Sequence, residues 1–386
     1  MLSETDLVIA LSRMPVRSEA RKRVRQVLEQ SIDWDTVKRL ATRWQVEPTV
    51  FGNLGSEFAT AIPTEVRSEA AMLEQLSRAH AVSRTLLLME LVDSLAGAGI
   101  PAIVLKGPAI AIIGYDDCSR RTFGDADLLL RRDDLIRGRD FLLARGYTAH
   151  FHPARERAMI AGQSALEFSD SRSSVELHWT LVSRHLRFNL RVEDLWSRSQ
   201  LIQCVGSEMR VLSPEHLFLY LCAHGAKHEW SFFRWICDIA QLAARLTPSQ
   251  AGKVMELAAE ANAKRLLALA LRLAQEVFGE EPSPFPSSAF GDRRDTAALV
   301  SLVSGRLIHG KVDKGLLPPR IAGIHRYMEP LAFWLRSRER IRDQIACAAE
   351  FIFVPAAGDN SRNQLQRVFR PIRLAANAVR RLASAS

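Results

Sequence analysis

Two aspartates two residues apart, Asp125 and Asp127, lead into the apolar run Leu128-Leu129-Leu130. Side chains alternate faces along a strand, so both carboxylates project to the same side. Held that way they repel each other unless a cation sits between them, and a hard divalent ion with oxygen ligands is the natural guest. Upstream, Ile103, Val104 and Leu105 form a short β-prone run that ends at Lys106-Gly107. Pro108 suits the first position of a helix, which Ala109 to Ile113 can continue and Gly114 with Asp116-Asp117 can stop. Downstream, Val175, Leu177 and Trp179 alternate with Glu176 and His178, so the last two share one face of a strand. Residues 164–168 form the other arm of a hairpin turned around 170–173. Either Glu167 or Glu176 could add a third carboxylate beside the aspartate pair, with His178 close by. Taken alone, an Asp-x-Asp pair is often only a solvated strand edge; its neighbours give it weight.

Lys-Gly at 106–107, Arg-x-x-x-Asp-x-Asp at 121–127 and Val175-Glu-Leu-His-Trp179, in that order, resemble the nucleotidyltransferase superfamily of DNA polymerase beta. More closely, they look like its bacterial "nucleotidyltransferase family protein" branch, and the resemblance spans roughly residues 80–300. It implies two Mg²⁺ (or Mn²⁺) ions held between the Asp-x-Asp pair and a third acid on a neighbouring strand. These ions align the triphosphate of a nucleoside triphosphate, such as ATP, with an attacking hydroxyl. By position Asp125 and Asp127 match the pair and Glu176 the third acid, making these three both metal ligands and catalytic residues. Glu176 is preferred over Glu167 because the family places the acid just before Leu-His-Trp. Gly107 matches the glycine whose backbone approaches the phosphates. The chain departs from the family in having Gly107-Pro108 where Gly-Ser or Gly-Gly is usual, and in a longer gap from Gly107 to Asp125. Pro108 offers neither N–H nor hydroxyl. Lys106, as a point charge, and Arg121, as a bidentate fork, are the candidates to replace the lost phosphate contact.

Positioning these residues calls for an α+β fold. A small mixed β-sheet forms the nucleotidyltransferase core over 99–205, flanked by an N-terminal helical region, 1–98, and a C-terminal helical domain, 206–360. A basic tail follows at 361–386. Helical periodicity covers 18–30, with Ser18 as its N-cap, then 33–44, and 64–97 as one or two long helices. Trp34 and Trp44 read as core anchors. Asp133-Asp134 cap a helix that ends near Arg145-Gly146, and 147–151 is a strand. Ser213-Pro214 starts a helix that carries His216, His224, Lys227 and His228. His224 and His228, four apart, could be a metal pair; the plainer reading is a helix packed on the core. Lys227 could reach a phosphate or substrate. In similar proteins a Trp-x-x-Asp helix follows, matched by Trp235 and Asp238. Helices are expected near 231–245, 248–261, 263–279, 293–307 and 327–351, with a Pro/Ser-rich linker at 280–288.

The 386 residues suffice for two or three domains, and 47% apolar with 25% charged residues is ordinary for a soluble protein. The acidic start predicts no export signal, and no uncharged apolar run is long enough for a membrane span. Five scattered cysteines without Cys-x-x-Cys point to a reducing cytoplasm rather than a zinc ribbon or disulfide scaffold. Of the net charge of +9, six arginines lie in the tail, which has no acid. The rest of the chain is close to balanced, so a body that wraps nucleic acid is not expected. The tail could dock on the body, lie on an anionic membrane surface or contact an acidic partner such as RNA. The expected reaction moves a nucleotidyl group to a hydroxyl of a small molecule, peptide, protein or RNA. The alternative is a non-catalytic nucleotide-binding or accessory protein that keeps the fold.

Overall fold

The computed structural model describes residues 3–183, 186–279, 284–308 and 331–353. Five helices precede the sheet: α1 (Glu4–Leu11), α2 (Ser18–Leu28), α3 (Trp34–Trp44), α4 (Glu47–Glu57) and α5 (Thr64–Gly97). Strand β1 (Ile103–Val104), α6 (Pro108–Tyr115), β2 (Ala126–Leu129), α7 (Leu135–Ala144) and β3 (Thr148–Ala149) follow. Next come α8 (Glu156–Gly162), the hairpin β4 (Ala165–Ser169) and β5 (Ser174–His178), α9 (Val192–Ser197), and a second hairpin, β6 (Gln200–Cys204) and β7 (Ser207–Val211). Helices α10 (Pro214–Lys227), α11 (Phe233–Ala243), α12 (Pro248–Glu260), α13 (Lys264–Phe278) and α14 (Arg293–Leu307) complete the body, with a further helix at Ile341–Phe353.

The seven strands form one mixed sheet in the order β3-β4-β5-β2-β1-β7-β6. This is the expected α+β architecture, enlarged by the β6–β7 hairpin, which the sequence reading did not include. Strand β2 runs antiparallel to β1 and parallel to β5, and the β2–β5 register sets Asp127 opposite Glu176 and Leu129 opposite His178. Strand alternation then sorts the side chains. Leu128, Leu130, Val104 and Leu177 face a core shared with Leu88, Leu91 and Leu95 of α5 and Leu135 and Leu142 of α7. Ile103, Leu105 and Leu129 face the opposite core, built with α6, α10 and α11. Asp127 has the parity of Leu129 and therefore points toward the helices of that second core.

Helices from both ends of the chain close over that face. Trp44 stacks on Phe233 with ring centroids 4.4 Å apart and donates its indole N–H to the Leu307 carbonyl. Arg13 donates to the Ala240 carbonyl, and Asn53 donates to the carbonyls of Leu11 and Arg13 at 2.8 Å each. Trp44 is thus the buried anchor expected of it, while Trp34 is half-buried against the same core.

Local details differ from expectation. Residues 64–97 form one continuous helix. Ser18 is already helical, and the N-cap of α2 is Arg17, which makes no side-chain cap bond. Asp134 does not cap α7 through its side chain; its carboxylate receives Arg137 Nη1 at 2.6 Å. The strand expected over 147–151 shortens to β3. Ser213 does cap α10, accepting from His216 N–H, with Pro214 in the first turn. Of the Pro/Ser segment 280–288, residues 280–283 lie outside the described residues, and beyond them Phe285 is buried 5.0 Å from Phe218. The described part of the helix expected over 327–351 is interrupted before Ile341, and the tail 361–386 lies outside the described residues. Cys118, Cys204, Cys222 and Cys237 are free thiols. Among the described residues no helix is long and apolar enough to cross a membrane.

Candidate active site

The chain leaves β1 at Lys106 and turns at Gly107, which caps α6 with φ 63°. That left-handed backbone favours glycine, which has no Cβ to clash. The turn aims Lys106 across the sheet, where its Nζ lies 2.7 Å from Asp127 Oδ1. Nε2 of His178 lies 3.2 Å from the same oxygen and 3.1 Å from Glu176 Oε2. Asp127, His178 and Lys106 are all largely withdrawn from water, and Glu176 is half-buried.

Burying two acids and two bases together is stable only if they pair. Burial alone would raise the Asp127 carboxyl, but Lys106 and His178 hold it well below the usual carboxylate range. Glu176 is likewise lowered against its burial, mainly by the His178 hydrogen bond. Burial opposes the charge on both bases, yet Asp127 and Glu176 raise His178, and Tyr220 followed by the two carboxylates raises Lys106. The cluster therefore sets two carboxylates against an ammonium and an imidazole whose protonated form they favour.

Among the described residues, Asp127, Glu176 and His178 form the one group of three metal donors, with one ligand atom from each within 4.8 Å of the others. The two carboxylates suit a hard divalent cation. The imidazole is less suited, because Nδ1 of His178 is buried without a hydrogen-bond partner, whereas a metal-bound histidine usually donates its other N–H to an acceptor. His178 fits better as the donor that fixes both carboxylates.

The other expected site residues are placed as follows. Asp125 precedes β2, is exposed, and is not in the three-donor group. Its carboxyl is raised, first by partial burial and then by the charges of Asp127 and Glu176, so the like-charge repulsion expected of the pair is present. Glu167 pairs with Glu176 across β4 and β5 but is exposed. Pro108 takes the first turn of α6, and Ala109 N–H turns back to the Lys106 carbonyl at 3.3 Å. Arg121 is buried, and its Nε and Nη2 each lie 2.9 Å from the carboxylate of Asp238 on α11. Tyr115 donates its hydroxyl to the same carboxylate at 3.0 Å. With its fork on Asp238, Arg121 ties the core to α11.

Lys227 is half-buried on α10; burial lowers its pKa, while Glu176 and Asp127, within electrostatic reach, raise it. His224 and His228 gain no carboxylate or thiol to make a metal site among the described residues; they lie against Trp235 instead. Two further residues escaped the sequence reading. Tyr220 is buried beside Lys106. Arg234 donates Nη1 to the carbonyl and hydroxyl of Thr122 at 2.7 Å each, and burial pulls its pKa down to about 10. Arg234 directly precedes Trp235 of the Trp-x-x-Asp match, the one signal that could have marked it.

One pH effect follows from this packing. Burial, then the nearby Lys106, holds His224 neutral, its pKa well below the ordinary 6.5. The unfolded chain binds this proton near pH 6.5 and the folded chain does not, so stability is full above that pH and falls below it. The slope from this one group is at most about 1.4 kcal/mol per pH unit. Melting temperatures from pH 7.5 down to 5 should fall less steeply in His224→Gln than in the native chain; parallel curves would refute this assignment.

No curated protein matches the chain. A family model described as an uncharacterised nucleotidyltransferase matches residues 30–279, from within the N-terminal helices through the sheet and its carboxylates to the end of α13, and the chain belongs to that family.

Proposed function

We propose that the protein moves a nucleotidyl group from a nucleoside triphosphate to a hydroxyl acceptor, with Mg²⁺ or Mn²⁺. The observation that carries this reading is the in-register placement of Asp127 and Glu176 on adjacent parallel strands, beside the Gly107 turn at the N-terminus of α6. Asp127 and Glu176 would hold the cation, with Asp125 as the further carboxylate at the open edge. A divalent ion there supplies charge neutralisation for the triphosphate and a polarised attacking oxygen. The residues do the remaining work by position and charge. His178 fixes both carboxylates. Gly107 lets the backbone approach a phosphate at a helix end whose dipole favours anions. Lys106 and Lys227 furnish positive charge beside it. The hydroxyl belongs to a small-molecule, peptide, protein or RNA acceptor. The free thiols of Cys118, Cys204, Cys222 and Cys237 suit a reducing cytoplasm.

Labelled nucleoside triphosphates incubated with Mn²⁺ or Mg²⁺ and cell extract test the reading: label should pass to an acceptor with the native chain and not with Asp127→Asn. One feature favours a second reading, a nucleotide-binding protein without transfer: Lys106 already occupies Asp127, and Pro108 removes a phosphate donor. Under that reading triphosphate binds and no acceptor fraction becomes labelled.

Lys106 itself gives a prediction. Lys106→Gln should weaken triphosphate binding about tenfold, the scale of one charged hydrogen bond. In the absence of nucleotide it should strengthen Mn²⁺ binding, because the competing ammonium leaves Asp127. Calorimetry with Mn²⁺ and with triphosphate reads both effects; no change in either would remove Lys106 from the site.

A further inference from the structure

The helices that close over the carboxylates carry a cluster of rings that phosphate chemistry does not use. His224 and His228, one turn apart on α10 and just past its end, have ring centroids 4.8 Å apart. Trp235 of α11 is 5.1 Å from the first and 5.5 Å from the second. Phe232 stands 5.0 Å from Trp235 with its ring turned 84° to it, so the two form the walls of a corner. That corner opens outward: Phe232 is 38% exposed, His228 is exposed and Trp235 is half-buried. A large aromatic left open to water beside other rings costs hydration free energy that a flat ligand would recover.

A line of packed side chains leads from the corner to the carboxylate cluster. His224 lies 5.8 Å from Tyr220, Tyr220 is the buried neighbour of Lys106, and Lys106 is 2.7 Å from Asp127. Lys227, on the same helix between His224 and His228 in sequence, is within electrostatic reach of Glu176 and Asp127. Both imidazoles favour the neutral form: packing of the His228 ring against its neighbours, then Lys227, pushes it down to about 4 although part of the residue meets water. A neutral imidazole offers one donor and one acceptor, which suits the edge of an uncharged heterocycle. Rings at one end, ammonium groups in the middle and carboxylates at the other match the order of base and phosphates in a nucleotide.

We propose that the Phe232–Trp235 corner, with His224 and His228, is the nucleobase subsite of the triphosphate site. A base stacked flat on one wall meets the other edge-on, the arrangement aromatic pairs favour. Lys227 then lies on the phosphate side. Stacking tolerates any base because every base has a π-face, so the subsite discriminates weakly among the four nucleotides. This placement rests on the nucleotidyltransferase reading for the triphosphate, but not for the base.

The test uses the full chain with Mn²⁺ and three probes: the four nucleoside triphosphates, inorganic tripolyphosphate and bare nucleosides. Phe232→Ala and Trp235→Ala should each weaken all four nucleoside triphosphates at least about fivefold, the scale of losing one stacked ring, and leave tripolyphosphate unchanged. Trp235→Phe should retain most of the affinity. Phe232 is exposed enough that its truncation leaves the fold intact, so the result does not hang on Trp235→Ala folding. Equal effects on nucleotide and tripolyphosphate, or none on either, overturn the subsite. If tripolyphosphate fails to bind the native chain, the transferase reading falls and the nucleosides decide: binding lost in Trp235→Ala sustains the subsite, and binding that is absent or indifferent to both substitutions overturns it.

Discussion

Asparagine at position 127 should lower nucleotidyl transfer by at least about a thousandfold. A bound cation supplies several kcal/mol of transition-state stabilisation, and each 1.4 kcal/mol is tenfold. Asp127 is also the acceptor for Lys106 and His178, so its replacement leaves two buried bases with one acid. Breaking a buried pair typically costs about 3–5 kcal/mol, and the variant should melt earlier as well. Two companions separate chemistry from folding. Glu176→Gln acts on a half-buried carboxylate and should lose Mn²⁺ affinity and transfer with a smaller change in melting. Asp125→Asn acts on an exposed residue crowded by Asp127 and Glu176. It should lower Mn²⁺ affinity with no change in melting temperature. Transfer by Asp127→Asn within tenfold of the native chain, measured where both are folded, would sink the assignment of the metal site.

Removing Asp238 should destabilise the protein by about 3–5 kcal/mol, the usual consequence of stranding a buried charge. Asp238→Ala takes away both acceptors of the Arg121 fork and the acceptor of the Tyr115 hydroxyl. Arg121→Lys should cost less, because one ammonium can still reach one oxygen, though the planar two-point contact is lost. Neither change should alter triphosphate affinity at a temperature where the chain is folded. This reverses the expectation drawn from the motif, in which Arg121 met phosphate. Thermal unfolding and nucleotide titration on the same preparations decide between them: a weakened triphosphate contact with unchanged melting would return Arg121 to the phosphates.

The elements that carry the site were readable because each is encoded locally. Period-two alternation at 175–179 places Glu176 and His178 on one face of a strand, and the same rule relates Asp125 to Asp127. Lys106-Gly107-Pro108 announces the strand–turn–helix step, and Ser213-Pro214 the start of α10. The long helices followed from their apolar stripes. The β6–β7 hairpin is not legible because Leu201 and Ile202 are adjacent in its edge strand, Leu201 facing outward, which blurs the period-two alternation, and Ser18 and Asp134 read as caps because many polar residues sit near helix starts without capping them.

What the tertiary structure alone decided is which charge meets which. Nothing near Arg121 in the chain reveals Asp238, 117 residues on, and nothing in the spacing of Lys106 sets it on Asp127. The parallel register of β2 and β5 brings His178 to an aspartate 51 residues earlier and makes Asp127, rather than Asp125, the partner of Glu176. Sequence periodicity determines the face on which a side chain stands. Once that face is covered by α10 and α11 and withdrawn from water, the cost of an unpaired buried charge determines its partner, and that partner comes from whichever distant element the packing brings within reach.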